Sequence, residues 1–383
     1  MLIDQDYARE TLVRLVQINS INPTLVPGAP GEREISTFIA ASLKSSGLEV
    51  EQFEPEPGRI SVVGRLRGAG GGRSLMFNAH CDTVDVAGMP EPFSGAIRDG
   101  KVYGRGSYDM KGSLAAQMAA AKALSDAGVK LRGDVLVAAV ADEEYGSLGT
   151  SDLVKHVKVD GAIVTEPTAL EVCLAHKGYL WIEVEVTGRA AHGSKFNLGI
   201  DANMKMGQFL SRLHDLERDL RTRKPHPLVG PPSLHAATLR GGAGLSTYAP
   251  SCTLQIERRT VPGETETQAV AEIQSIVDKL TSEDPDFHAT VRPFFVRGAF
   301  EVAPSAAIVQ SLDRAIAKVR GAPAAHIGDT PWMDSALLQA AGVETVVCGT
   351  AGVGAHANEE WVDLESVFKL AAILAETAID YCT

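Results

Sequence analysis

The chain has no CxxC pair: its five cysteines, Cys81, Cys173, Cys252, Cys348 and Cys382, are scattered and odd in number. That set fits a reducing compartment better than a disulfide framework. There is no basic excess either. Against 48 acidic residues stand 36 basic ones, a net charge of −12, which argues against nucleic acid or an anionic membrane as partner. No apolar run reaches membrane-spanning length, no run of like charge forms a tail, and neither an internal repeat nor a low-complexity tract is found. Residues 1–10 hold Asp4, Asp6 and Glu10 rather than a basic-then-apolar targeting pattern. The glycine run at 68–72 has no following Lys-Ser/Thr and leads into a strand, which removes a phosphate loop. A cytoplasmic location is the expectation.

What is present is ample apolar material, 45% of 383 residues, with 22% charged. Amphipathic helices are expected around Leu12, Leu15 and Val16, behind the opening acidic residues, and over 32–45, and strands over 48–53, 60–66 and 74–80. The Ala-rich stretch 112–127 predicts a helix. Continuous apolar runs at 134–140 and 161–165 predict strands buried on both faces. This alternation implies an α/β unit with a mixed sheet between helices. The pattern changes near Lys177, where Trp181, Glu183 and Glu185 alternate with apolar residues as in a half-exposed antiparallel strand. Two helices (200–222, 264–280) interleaved with strands near 180–186, 234–239, 253–259 and 288–291 make an inserted α+β unit. The expected division is therefore a discontinuous domain, 1–176 and 294–383, interrupted by a second at 177–293.

Polar residues gather where strands end. The apolar run 74–77 leads into Asn78-Ala79-His80-Cys81-Asp82-Thr83-Val84, and ligands of open α/β sheets collect at the carboxyl ends of strands. Cys81 should face away, into the core. A Gly-rich loop at 104–112 sets Asp109 ahead of the Ala-rich helix, where it either bridges two cations or caps the helix. Asp142-Glu143-Glu144 follows the strand 134–140; adjacent acids point different ways, so one ligates while its neighbour acts as a base, or both are merely solvated. Glu166-Pro167-Thr168 ends another strand, and His356 lies in a second Gly-rich loop. Each has a structural explanation alone. Together they form an oxygen and nitrogen donor set without thiolates, suited to zinc, cobalt or manganese. Such a set holds two ions roughly 3.5–4 Å apart with water activated between them.

These motifs resemble the zinc-dependent aminoacylase and carboxypeptidase family, which includes acetylornithine deacetylase, succinyl-diaminopimelate desuccinylase and carboxypeptidase G. The resemblance runs in the family's order over nearly the whole chain. It implies a catalytic domain of the dizinc aminopeptidase and carboxypeptidase type, with His80 and Glu166 on one metal, Glu144 and His356 on the other, and Asp109 bridging. Asp82 would orient His80, and Glu143 would be the general base. A cis peptide after Asp109 is also implied. The inserted unit would be the lid, or dimerisation, domain of a homodimer. Within it, 188–194 resembles the segment whose His crosses the interface, which casts His192 as an oxyanion stabiliser. The segment 250–263 resembles a lid strand bearing a substrate-binding Arg; its register to Pro262-Gly263 selects Arg259 for a substrate carboxylate and leaves Arg258 solvated. Glu257 stands where Asp is frequent, and Ser246-Thr247-Tyr248 where Asn often stands. The expected activity is hydrolysis of the amide of N-acyl amino acids, Glu166 leaning towards deacylases and carboxypeptidases. A carboxypeptidase or dipeptidase acting on short peptides is the alternative. A non-catalytic binding protein would have lost the base or a ligand, and none is missing. His176 reads as a hinge or packing residue, and Asp334 as an outer carboxylate or a helix cap.

Overall fold

The computed structural model describes all 383 residues. Helices α1 (Gln5–Gln17) and α2 (Arg33–Ser45) precede β1 (Glu49–Glu56), β2 (Arg59–Leu66) and β3 (Leu75–His80). Next come β4 (Ala96–Arg98), β5 (Lys101–Tyr103), α3 (Gly112–Asp126), β6 (Val135–Val140), α4 (Leu148–His156), β7 (Gly161–Val164) and β8 (Val172–His176). The middle of the chain forms β9 (Gly178–Thr187), α5 (Ala202–Thr222), β10 (Ser233–Gly241), β11 (Ser251–Thr260), α6 (Glu266–Glu283), β12 (His288–Arg297) and β13 (Phe300–Glu301). The remainder forms α7 (Ala307–Arg320), β14 (His326–Asp329), α8 (Ser335–Ala340), β15 (Glu344–Val347), β16 (Gly352–Val353), β17 (Trp361–Asp363) and α9 (Leu364–Tyr381).

Two compact units result: residues 1–174, 302–327 and 333–383 make the first, and 175–301 with 328–332 the second. Residue 294, the expected boundary, falls inside β12, which continues to Arg297 opposite Tyr179. A register shift between Pro293 and Phe295 breaks the alternation there, as a bulge at a proline does. The strand's continuation is therefore hidden from pattern.

In the first unit the main sheet runs β1-β2-β6-β3-β7-β15-β8. β6, β3, β7 and β15 are mutually parallel, so their carboxyl ends open on one side. β1, β2 and β8 join antiparallel. β3, β6 and β7 are buried along their whole length, as strands covered on both faces must be. α3 is buried nearly all round and packs against α1 and α9; its alanines allow that close approach. A second, four-stranded sheet, β16-β17-β5-β4, also belongs to this unit. Its strands have two or three residues, too few for any periodicity to show. It nevertheless sets Tyr103 opposite Trp361, which brings the loop before α3 beside the loop between β16 and β17.

In the second unit an antiparallel sheet, β10-β11-β9-β12, carries α5 and α6 on one face. Leu180, Ile182, Val184, Leu254 and Ile256 point to the helices and meet Phe209, Leu213, Ile273 and Val277. Each such buried side chain stabilises by roughly 1.5–3 kcal/mol. A capping box between Thr265 and Gln268 starts α6.

Candidate metal centre and active site

Three parallel strands deliver most of the site. β3 ends on His80, β6 runs into Asp142-Glu143-Glu144, and β7 runs into Glu166. The turn Ser107–Lys111 adds Asp109, held in extended backbone (φ −116°, ψ 92°) and followed by a cis Asp109–Met110 peptide. The turn is entered through Gly106 at φ 77°, where an added Cβ would lie 2.7 Å from the Thr83 side chain; only glycine fits both demands. His356 comes from the loop between β16 and β17 and has a left-handed backbone (φ 60°).

Asp109 joins the two halves. Its Oδ1 lies 3.1 Å from His80 Nε2, and its Oδ2 lies 3.5 Å from His356 Nε2. Glu166 Oε1 is 3.7 Å from His80 Nε2, and Glu144 Oε2 is 2.9 Å from His356 Nε2. Two triads result, His80–Asp109–Glu166 and Asp109–Glu144–His356, each with donor atoms within 4.8 Å of one another. One carboxylate thus serves two imidazoles, each of which has a further carboxylate of its own. Asp109 caps no helix; α3 starts without any side-chain cap.

The electrostatics agree with a cation site. Burial pushes the Glu143 carboxyl well up, helped by Glu166, Asp334 and Glu144. Burial also raises Glu166, with Asp109 and Glu144 adding to the shift, and raises Glu144, with Asp109 adding. Burial alone would lower His80, but the hydrogen bond to Asp109 and the charges of Glu166 and Glu143 carry it well above its ordinary value. His356 is raised first by its bond to Glu144. Crowded, desolvated carboxylates of this kind are relieved by divalent cations. The donor set of two imidazoles and three carboxylates suits zinc, cobalt or manganese.

The structure shows by which atoms Asp82 meets His80. The imidazole Nδ1 lies 3.0 Å from the main-chain carbonyl of Asp82, while the Asp82 carboxylate is 3.7 Å away. That carboxylate accepts instead from the backbone N–H groups of Glu143 (3.1 Å) and Glu144 (3.3 Å) and from Asn22 Nδ2 (2.8 Å). Asp82 therefore orients His80 through its backbone and holds the acidic loop through its side chain. Residue spacing cannot separate these two routes.

Sequence reasoning missed Glu360. This buried carboxylate accepts the backbone N–H groups of Gly106, Tyr108 and Asp109, each at 3.0 Å, and pairs with Arg105 Nη1 at 2.7 Å. Arg105 Nη2 also donates to the Ala357 carbonyl at 3.0 Å, so the Asp109 and His356 loops are laced together. In the sequence Glu360 follows Glu359 and looks like a solvated acidic pair. Also missed was a buried network behind the acidic loop. Arg59 contacts Glu32 at 2.9 Å and Asp142 at 2.6 Å, and Asn22 Nδ2 donates to Asp142 at 2.9 Å. Asp334 is buried, accepts the Thr150 hydroxyl at 2.5 Å and is pushed by burial to about 6. It makes no side-chain cap on α8. Cys81 is buried, with its Sγ 3.3 Å from the Val140 carbonyl.

His192 and Arg259 belong to the second unit. His192 is exposed; its Nδ1 lies 2.8 Å from the Ser194 hydroxyl and 3.2 Å from the Ser194 backbone N–H. Arg259 is half-buried and donates Nε–H to Glu257 at 2.7 Å. Arg258 is not solvated as expected. It is 0% exposed and paired with Glu264 (2.7 Å) and Glu272 (3.2 Å), because β11 alternates and position 258 shares the core face with Leu254 and Ile256. His176 is a packing residue, stacked on Phe300 at 5.2 Å.

The whole motif order, from His80 to His356, lies inside the match to the peptidase family M20/M25/M40, which covers residues 76–380. The chain belongs to that family. It is a hydrolase of the metallopeptidase and amidohydrolase kind. It is 28% identical to the N-formyl-4-amino-5-aminomethyl-2-methylpyrimidine deformylase of Bacillus subtilis (strain 168), covering 98% of this chain and 95% of that protein. It is 27% identical to the acetylornithine deacetylase of Myxococcus xanthus, covering 98% and 97%. Among solved structures, the aminopeptidase PepT of Bacillus cereus matches over 100% of both chains with a TM-score of 0.81 at 18% identity, a likeness of fold.

Proposed function

We propose that this M20 family hydrolase cleaves the amide bond of N-acyl amino acids at a two-metal centre. The observation that carries the reading is the division of the Asp109 carboxylate, one oxygen towards His80 and the other towards His356. His80 and Glu166 would hold one ion and Glu144 and His356 the other, zinc being favoured over cobalt or manganese. Bound there, the ions would acidify a water and polarise the acyl carbonyl. Glu143, beside the cluster and with its proton affinity raised, takes the proton of the attacking water and delivers it to the departing amine. Asp82 and Glu360 keep the ligand loops in place. His192 presents an imidazole N–H donor for the carbonyl oxygen as it becomes anionic, and Arg259 takes the carboxylate of the amino acid half.

His192 acts across a homodimer formed through the second unit. Supporting that reading, β10 is an edge strand paired only with β11, and Phe196, Leu198, Met204, Leu239 and Leu245 are exposed in that unit. A free edge beside exposed apolar side chains calls for a partner. The acyl-removing activities named for the deformylase and the deacetylase favour an N-acyl substrate over a peptide. All five cysteines are free and buried, in keeping with a cytoplasmic enzyme.

A hydrolysis panel of N-formyl, N-acetyl, N-succinyl and aromatic acyl amino acids beside dipeptides tests the substrate. Release from N-acyl amino acids that stops with chelator and returns with zinc or cobalt is the expected result. Turnover of dipeptides alone would replace this reading with the peptidase one.

A further inference from the structure

The sheet of the second unit has a second face, turned away from α5 and α6, of which the function proposed above uses Arg259 alone. Alternation along β9 places Tyr179 and Trp181 there, and β12 adds Phe295. Trp181 and Phe295 are stacked with centroids 4.8 Å apart, and Tyr179 stacks on Phe295 at 5.8 Å. Trp332 meets Tyr179 edge-on at 6.3 Å. Two guanidinium groups lie on these rings: Arg259 is 4.8 Å from the Tyr179 centroid, and Arg297 is 4.3 Å from Phe295 and 5.4 Å from Trp332. In the strand register Tyr179 sits between the two, opposite Arg259 on β11 and Arg297 on β12.

This face is built rather than incidental. The Glu257 carboxylate accepts Trp181 Nε1–H at 3.0 Å and Arg259 Nε–H at 2.7 Å, so one side chain aims both an indole and a guanidinium. Trp332 donates its Nε1–H to the Gly298 carbonyl at 3.0 Å. Both indoles thus have their polar edge occupied and their faces fixed by hydrogen bonds. Lys177 is close enough to Arg259 to feel its charge, burial being the larger cause of its lowered proton affinity. Stacked rings offer π-faces to a planar group, while guanidinium groups keep their stacking and still grip a carboxylate. A cationic ring would be repelled by both arginines.

We propose that this aromatic and arginine face is a specificity site for the planar ring of a carboxylate-bearing substrate, an amide of an α-amino acid that carries an aromatic group. The proposal rests on the reading of Arg259 as the carboxylate-binding residue. The ring comes from either the acyl half or the amino acid half, and the shared chemistry is a ring with a carboxylate a few bonds away.

Two of the chain's three tryptophans lie on this face, so binding is readable without turnover. In the Glu143→Gln variant, N-benzoylglycine and N-acetylphenylalanine should quench tryptophan fluorescence saturably, whereas N-acetylglycine and benzamide should not. Whichever of the first two quenches at lower concentration shows which half supplies the ring. Arg259→Ala should weaken that binding at least tenfold. In the active enzyme, Trp181→Ala should lower the ratio of kcat/KM for the ring-bearing substrate to that for N-acetylglycine at least tenfold, and Trp181→Phe should restore most of it. Quenching that ignores the ring or the carboxylate, or a ratio unchanged by Trp181→Ala with folding intact by circular dichroism, would overturn the proposal. If no N-acyl amino acid is hydrolysed at all, the deacylase reading fails by itself, and the fluorescence titration still decides the ring site.

Discussion

Glu360 Oε1 accepts the backbone N–H of Asp109 at 3.0 Å, although 251 residues separate the two in the chain. Through this bond, and through Arg105, the loop that follows β16 sets the carboxylate shared by both halves of the cluster. Glu360→Ala is expected to raise the dissociation constant for zinc about 10–100-fold, the usual effect of removing a group that orients ligands. Glu360→Gln, which retains an acceptor, should recover part of the loss. Competition with a chromophoric chelator measures both, and wild-type affinity in the alanine variant would remove Glu360 from the site's support.

Glu143 has a role separable from ligation. Glu143→Gln should lower kcat about 10²–10⁴-fold, the range for a lost general base, while elemental analysis finds the metal content unchanged. Turnover near wild type would assign proton transfer to another group.

His192 is solvent-exposed and lies in the second unit, which we propose forms the dimer. If it completes the partner's site, mixing inactive His192→Ala and Glu143→Gln protomers should restore one working site in each mixed dimer. Absence of recovery after proven subunit exchange would confine His192 to its own subunit.

Arg59 pairs with two buried carboxyls, Glu32 and Asp142, behind the acidic loop; burial, with the charge of Asp82, pushes Glu32 up to about 8, so it is mostly protonated at neutral pH. Arg59→Ala leaves Asp142 without its buried counter-charge, and should cost about 3–5 kcal/mol of stability in urea unfolding, as breaking a buried ion pair does. A loss below about 1 kcal/mol would show that water replaces the guanidinium.

Asp134 supplies an acid-dependent increment of stability. Burial acts to raise its carboxyl, but the Gly68 N–H and the Arg65 guanidinium outweigh this and hold it below the ordinary value of 3.8. As pH falls, the unfolded chain takes up this proton before the folded one. The contribution is therefore complete above about pH 4 and disappears as pH drops through the lower folded value. Asp134→Asn should reduce Tm at neutral pH and leave a smaller fall in Tm on acidification. Parallel curves for the two proteins would exclude the effect.

Much of the architecture was legible because it follows local rules. Strands buried on both faces read as apolar runs at 134–140 and 161–165, close to the observed β6 and β7, and acids just beyond them marked the open side of the sheet. The donor types in His80, Asp109, Glu144, Glu166 and His356 stated the chemistry, since oxygen and imidazole donors without thiolate narrow the choice of metal. Three matters needed the folded chain. The route by which Asp82 supports His80 depends on whether a carbonyl or a carboxylate is nearer, a difference of 0.7 Å between 3.0 and 3.7 Å. The burial of Arg258 rather than Arg259 depends on the phase of β11, which its neighbours in the sheet impose. Glu360 acquires its function only because strands of two or three residues pair across the chain. Residue type and strand periodicity are local properties, so the sequence by itself determined the donors and the sheet they crown. Which atoms of distant loops meet is settled by packing among residues far apart in the chain, and that only the tertiary structure decided.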